Sequence, residues 1–347
     1  MPWKIDGIAT DNSLTQRNIQ TPGLKNVCFM EGGNPEGLPV ILLHDNLASS
    51  RWWEAVQESL PYRYHSLAPD MRGYGQTEFQ PVTSMTDFSK DLHDFVTTLR
   101  LKPFYLVGWG LGGGVAMQYA IEHPENLVGL CLVNSISPKG HRPPERSEEL
   151  DELTRALRSN NQAEVATYLR HHYFQTGNFP VGNLTPGNIK GSGPNANEEA
   201  FMHIIGGSMQ ARNFSFNEQA GIFQVMRNFD IHQEVAKLKL PVTLITSSND
   251  RVIRQAEARE VREVLLNNQN THDELFLPQC GHSPMVECPE NFNPALAGYL
   301  GRFNFQSVVY PSISDTIRRM EEKDAQTGER GYGVSGNTRV ALDKSKS

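Results

Sequence analysis

Two residues near the C-terminal end of this chain are placed to move protons. Asp250 follows the apolar run Pro241–Thr246 through Ser247-Ser248-Asn249, and His282 follows Glu274–Leu277 within Cys280-Gly281-His282-Ser283-Pro284. A carboxylate beside an imidazole fixes its tautomer and stabilises its charged form, which suits acid–base work near neutral pH. A third element lies upstream. Gly108-Trp109-Gly110-Leu111-Gly112-Gly113 follows the run Phe104–Val107 and opens a helical stretch. A sharp strand-to-helix turn of this kind can present a nucleophile, with acid and His later in the chain in that order. The nucleophile position here is Gly110, which has no side chain to attack with. Asp45, directly after Val40–His44, adds a second carboxyl group to the same floor or, in the plainer reading, pairs structurally beside His44.

Strands and helices must hold those turns. Val27–Glu31, Val40–His44, Tyr64–Ala68, Phe104–Val107 and Leu127–Val133 are short β-rich apolar runs. Helical segments separate them: Ser50–Leu60 before Pro61, Thr86–Leu99 with Phe88, Leu92, Phe95, Val96 and Leu99 at helical spacing, and Leu111–His123 before Pro124. The alternation predicts an α/β fold with a mostly parallel sheet and helices on both faces. It lapses over 137–234 and resumes with Pro241–Thr246, Gln255–Leu266, Glu274–Leu277 and Pro289–Phe303. The lapse holds helical patches Glu148–Arg158, Ala163–Tyr173 and Glu198–Met209, and a Gly/Asn/Pro-rich loop Thr176–Asn197. The expected division is a core of 1–136 and 235–305, an insertion of 137–234 and a C-terminal extension of 306–347. Residues 1–22 read as an irregular arm. In such sheets ligands sit beyond the carboxyl ends of the strands, where all the residues above fall.

The chain has 347 residues and a net charge of −7. A mildly acidic surface offers no broad attraction for nucleic acid or an anionic membrane. The four cysteines, Cys28, Cys131, Cys280 and Cys288, form no C-x-x-C pair, and no His cluster has zinc spacing. They read as thiols in a reducing compartment, and no metal is expected. No signal-like start and no membrane-length apolar run is present. A cytoplasmic monomer or homodimer with a small-molecule substrate and no cofactor is the expectation.

Gly108, Gly110 and Gly113 also satisfy G-x-G-x-x-G, the dinucleotide fingerprint. That fingerprint belongs on the first strand of its unit, with an acid at the end of the next. Here the next strand ends in Val133-Asn134-Ser135. The nucleotide reading is set aside.

Five signals in order resemble the α/β-hydrolase superfamily over roughly residues 25–305. Leu42-Leu43-His44 with Ser49-Ser50 and Trp53 is similar to its oxyanion loop, and Asp70-Met71-Arg72-Gly73-Tyr74-Gly75 to its D-x-R-G-x-G turn. Gly108–Gly113 resembles its nucleophile elbow, Asp250 its acid and Gly281-His282 its catalytic His. The resemblance implies that 137–234 is a helical cap over an eight-stranded-type sheet. It also implies an oxyanion hole from the backbone N–H groups of Leu111 and the Asn46 region. Two positions depart from the family pattern: Gly110 stands where Ser, Asp or Cys is usual, and Asp45 where Gly is usual.

Three readings of Gly110 remain open. His282, Asp250 and Asp45 could run lyase, cyclisation or water-mediated hydrolytic chemistry on an apolar carbonyl compound, using the hole but no covalent intermediate. The chain could be a serine esterase, lactonase or thioesterase whose nucleophile has been replaced. It could also be a non-catalytic binding protein. His44, Trp109, Trp53 and Tyr173 are the expected substrate contacts. Of Trp52 and Trp53, one is expected in the core. The insertion's Phe201, Met202, Phe214, Phe216, Phe223 and Met226 suit an apolar pocket, though each fits ordinary packing too. His171 and His172 read as surface or insertion-core residues, and Arg72 as a brace for its turn.

Overall fold

The computed structural model describes residues 13–142, 148–159, 162–174, 201–206, 216–266 and 272–302. Two compact units divide the chain: Asn12–Ala297, and the two ends Met1–Asp11 with Gly298–Ser347. Of the second unit only 298–302, the end of the last helix, is described, so the expected extension 306–347 lies outside the described residues. So do Thr176–Asn197, Met209 and Phe214.

Eight strands form one sheet: β1 Thr15–Ile19, β2 Val27–Gly33, β3 Leu38–Leu43, β4 Tyr64–Pro69, β5 Phe104–Trp109, β6 Leu127–Val133, β7 Val242–Ser247 and β8 His272–Leu277. Their order is β1-β2-β4-β3-β5-β6-β7-β8. The pairings of β1 with β2 and of β2 with β4 are antiparallel, and all others are parallel. Every residue of β3, β4 and β5 is buried. A parallel strand covered on both faces reads as a continuous apolar run, which is why these strands are visible in the sequence.

The helices are α1 Glu54–Ser59, α2 Met85–Thr98, α3 Leu111–Glu122, α4 Glu148–Ser159, α5 Gln162–Tyr173, α6 Phe216–Asn228, α7 His232–Val235, α8 Gln255–Leu266, α9 Pro284–Glu287 and α10 Pro289–Arg302. A further helical turn spans 201–206. At the start of α2, Asp87 Oδ2 accepts the N–H groups of Thr83 and Ser84 at 2.7 and 3.0 Å, closing the open end of the helix. Between β6 and β7 the described residues hold helices and no strand. Among the described residues no helix is long and apolar enough to cross a membrane.

Two expectations need correction. The stretch 1–22 is not all irregular, because Thr15–Ile19 pairs along its length with Val27–Glu31. Its side chains are mostly exposed, so only the backbone ladder holds it and no apolar pattern betrays it. The expected helix Ser50–Leu60 begins as a 3-10 turn, Ser50–Trp53, before α1.

The glycines of 108–113 let α3 start directly on the sheet. A Cβ on Gly108 would lie 2.3 Å from the Gly112 carbonyl oxygen. One on Gly112 would lie 2.6 Å from the carbonyl oxygens of Leu43 and His44. Gly108→Ala should therefore lower the free energy of unfolding by at least ~1–3 kcal/mol, the usual cost of overpacking. Gly221→Ala in α6, where a Cβ meets nothing within 4 Å, should raise it by ~0.5–1 kcal/mol. Denaturant titration of the two variants checks the contrast.

Candidate active site

Sheet register brings Asp45 to Gly110. Leu43 at the end of β3 pairs with Gly108 on the parallel strand β5. Two residues further along each chain stand Asp45 and Gly110, side by side at the carboxyl edge. Gly110 adopts φ 54°, ψ −115°, the sharp corner that turns β5 into α3. The space beside it is filled. A Cβ on Gly110 would lie 2.0 Å from Asp45 Oδ1 and 2.2 Å from its Cγ. The carboxylate of residue 45 thus occupies the place of a side chain at residue 110.

Asp45 is fully used there. Its Oδ1 accepts the Leu111 N–H at 2.5 Å. Its Oδ2 lies 2.9 Å from His282 Nε2 and accepts the Tyr173 hydroxyl at 2.8 Å. The Leu111 N–H assigned by resemblance to an oxyanion hole is therefore already paired with the protein's own carboxylate. On the other side of the imidazole, Asp250 Oδ2 lies 2.9 Å from His282 Nδ1. Asp250 Oδ1 accepts the N–H groups of Val252 and Ile253, both at 2.8 Å. His282 stands between two carboxylates, with no side-chain exposure of its own.

This arrangement fixes the charges. Burial pulls the His282 pKa down, but the charges and hydrogen bonds of Asp250 and Asp45 outweigh it and bring it to about 10. Burial pushes the Asp45 carboxyl up, and His282, the Leu111 N–H and the Tyr173 hydroxyl outweigh that to leave it below the ordinary carboxylate value. Through the neutral range Asp45 is a carboxylate and His282 an imidazolium.

Other residues aim the imidazole. The His282 carbonyl accepts Trp109 Nε1–H at 2.8 Å and Asn134 Nδ2–H at 2.9 Å. Asn134 also donates to Ser247 Oγ and the Gly281 carbonyl and accepts the Ser247 N–H, so the end of β6 braces the ends of β7 and β8. Ser283 donates through both N–H and hydroxyl to the Tyr173 carbonyl. Neither Asn134 nor Ser283 stands out in the sequence as a site residue. The one available sign was an amide directly after the apolar run of β6.

The aromatic residues form a closed roof. Tyr173, at the end of α5, meets His282 edge-on at 4.9 Å. Trp109 lies 5.3 Å from His282 and 5.1 Å from Trp52, and Trp52 stacks on Phe174 at 6.1 Å. Phe174 meets Phe201 at 6.1 Å.

Several expected contacts are placed differently. His44 is buried and turned into its own loop: Nδ1 lies 2.8 Å from the Asp45 carbonyl and Nε2 accepts the Met71 N–H at 3.0 Å. Both ring nitrogens are spent on loop structure, and the pairing of His44 with the Asp45 carboxylate does not form. Trp52 and Trp53 are both completely buried, where one was expected to reach a pocket, and Trp53 packs on Trp109 and Phe292. Arg72 grips both oxygens of Asp91 and donates to the carbonyls of Pro81 and Asp87. His171 and His172 both bind Glu152. The cysteines do pair: Cys280 and Cys288 form a disulfide with Cα atoms 6.3 Å apart, closing a ring around His282. The cysteine pattern is then no argument for a reducing compartment. Cys28 and Cys131 are free and buried. Among the described residues, no group of three or more His, Cys, Asp or Glu could hold a metal ion.

Comparison with known proteins identifies the fold. The family model described as alpha/beta hydrolase fold matches residues 39–289, and the chain belongs to that family. Human monoacylglycerol lipase ABHD6 is 26% identical over 288 residues, 79% of this chain and 78% of that protein. The 2-succinyl-6-hydroxy-2,4-cyclohexadiene-1-carboxylate synthase of an Enterobacter species is 34% identical over 139 residues, 40% of this chain and 49% of that protein. Among solved structures, a serine hydrolase of the bacterium Cycloclasticus zankles superposes with TM-score 0.67 at 18% identity, over 83% of this chain and 98% of that one. That last likeness is one of fold.

The charge state carries a pH signature. A raised His pKa stabilises the fold fully below its usual 6.5, and the contribution is lost as pH climbs toward about 10. The lowered Asp45 pKa works above its usual 3.8 and is lost on acidification. The melting temperature should fall between pH 6.5 and 10, and His282→Gln should flatten that fall. Parallel melting curves for both proteins across this range would count against the charged triad.

Proposed function

We propose that this chain is an enzyme that moves protons on an apolar, carbonyl-bearing small molecule through Asp45 and His282, without a serine acyl-enzyme. The observation that carries the reading is Asp45 Oδ2 at 2.9 Å from His282 Nε2, in the space a residue-110 side chain would fill. Asp45 is the base and imidazolium His282 the acid. Asp45 takes a proton from the carbon next to the substrate carbonyl while His282 Nε2 gives one to the carbonyl oxygen. The product is an enol, a protonated Asp45 and a neutral His282. Direct transfer from Asp45 back to His282 restores the starting state. Asp250, held by two backbone N–H groups, keeps the imidazole oriented throughout. Enolisation of this kind is the common first step of carbon–carbon cleavage, cyclisation and elimination next to a carbonyl. A relative that is a synthase by name supports a scaffold not confined to hydrolysis. Residues 137–234 serve as the cap in this reading, with Tyr173 and Phe174 setting an apolar surface over the acid–base pair.

A serine hydrolase that had merely lost its nucleophile is the weaker reading. Loss of a serine side chain would leave a gap beside His282, whereas the carboxylate of Asp45 fills it.

The test is turnover on a panel of esters, lactones and β-dicarbonyl compounds. Asp45→Asn and His282→Ala should each reduce turnover by ~10²–10⁴-fold, the usual range for a lost general acid or base. Turnover retained in both variants would overturn the reading. A fluorophosphonate probe should leave the native protein unlabelled. Gly110→Ser alone should be poorly folded, because its Cβ meets Asp45. The double variant Asp45→Gly/Gly110→Ser should fold and take the label.

A further inference from the structure

In the proposed proton transfer His282 serves one substrate oxygen, and the usual backbone donor that would hold a substrate oxygen is not free. Leu111 N–H is bound to Asp45 Oδ1 at 2.5 Å. A different donor stands beside it. Asn46, directly after Asp45, is only 3% exposed. Its Oδ1 accepts the Tyr74 hydroxyl at 2.6 Å and the Leu47 N–H at 3.0 Å. Two donors on one oxygen fix which end of the amide is which. The other end, Nδ2, is buried and has no hydrogen-bond partner among the described residues. A buried unpaired donor costs ~1–3 kcal/mol, and native proteins hold few of them.

The main chain of Asn46 and the Asp45 carboxylate share a partner. The Tyr173 hydroxyl lies 2.8 Å from Asp45 Oδ2 and 2.6 Å from the Asn46 carbonyl oxygen. The Tyr173 hydroxyl thus ties residue 46 to the Asp45 carboxylate. Ser49 Oγ and Trp53 Nε1, on the same stretch, are buried and have no hydrogen-bond partner among the described residues either. The Trp53 indole packs against Trp109 and Phe292, and Ser49 and Trp53 stand further along the chain from Asp45 than Asn46 does.

We infer that the side-chain amide of Asn46 is the donor that binds the substrate oxygen, replacing the backbone hole that Asp45 has taken over. This assignment rests on the acid–base reading above and narrows its substrate to compounds with two nearby oxygens, of the β-dicarbonyl or enol class. One oxygen is protonated by His282, and the other is held by Asn46 Nδ2. Donors fixed before the reaction need no reorganisation as charge develops, which is what makes them effective. Tyr74, through Asn46 Oδ1, is a positioning residue.

Acetylacetone is the probe, because its enol and enolate absorb in the near ultraviolet and report binding without turnover. The native protein should bind it and shift its absorbance. Asn46→Asp keeps an acceptor for Tyr74 and Leu47 but removes the donor, and should weaken binding at least tenfold. Asn46→Ala should do the same, and Tyr74→Phe should give a smaller loss. Melting curves close to the native one show that each variant is folded. Native-like binding by folded Asn46→Asp or Asn46→Ala would overturn the assignment, as would the lack of any bound enol in the native protein. If the Asn46 variants bind normally while Asp45→Asn and His282→Ala fail in turnover, the acid–base reading survives and only this inference falls. If Asp45→Asn and His282→Ala turn over normally, the acid–base reading itself fails.

Discussion

A buried imidazolium held between two carboxylates sets the terms for the rest of this structure. Taking charges out of water costs several kcal/mol per ion unless geometry and hydrogen bonds compensate. Here each carboxylate is met by backbone N–H groups as well as by His282: Leu111 for Asp45, and Val252 with Ile253 for Asp250. Those N–H groups lie at the turns following β5 and β7. The sheet must therefore deliver four strand ends to one place, and the turns after them must be sharp.

The loops around the triad are built to be stiff. His44 spends both ring nitrogens on its neighbours, and Asp70 accepts the N–H groups of Ser50 and Gln76. Asn134 links three strand ends with one side chain. The disulfide between Cys280 and Cys288 closes a short ring around His282. A contact of 2.9 Å between His282 and Asp45 tolerates little misplacement. These side chains never approach a substrate in this arrangement, yet the position of the acid and base depends on them.

Much of this was legible in the sequence, for reasons that can be named. β3, β5 and β6 show as apolar runs because they are covered on both faces. Asp250 and His282 show because each follows such a run and because their order has a chemical meaning. β1 was hidden, since a polar edge strand is defined by backbone pairing and not by side-chain pattern. The role of Asp45 was half visible: its oddness was plain, its partner was not. That partner follows from the register of β3 against β5, a relation between residues 65 apart that no local pattern records. Asn134 was missed for the same reason, being defined by what it meets across the fold, while the Cys280–Cys288 pair is local and carries no spacing signal of its own.

The contact at residue 110 also gives its two unusual residues a history. Measured against the family's usual pattern, Ser has become Gly at one position and Gly has become Asp at the other. The two new side-chain states cannot be acquired in either order. With any side chain still at 110, the carboxylate of residue 45 has nowhere to go. A side chain at 110 and the carboxylate at 45 exclude one another in this arrangement, so glycine at both places is the state that joins them. The same clash governs both directions: Asp45 must give way before a side chain at 110 has room, so each of the two states is two changes from the other.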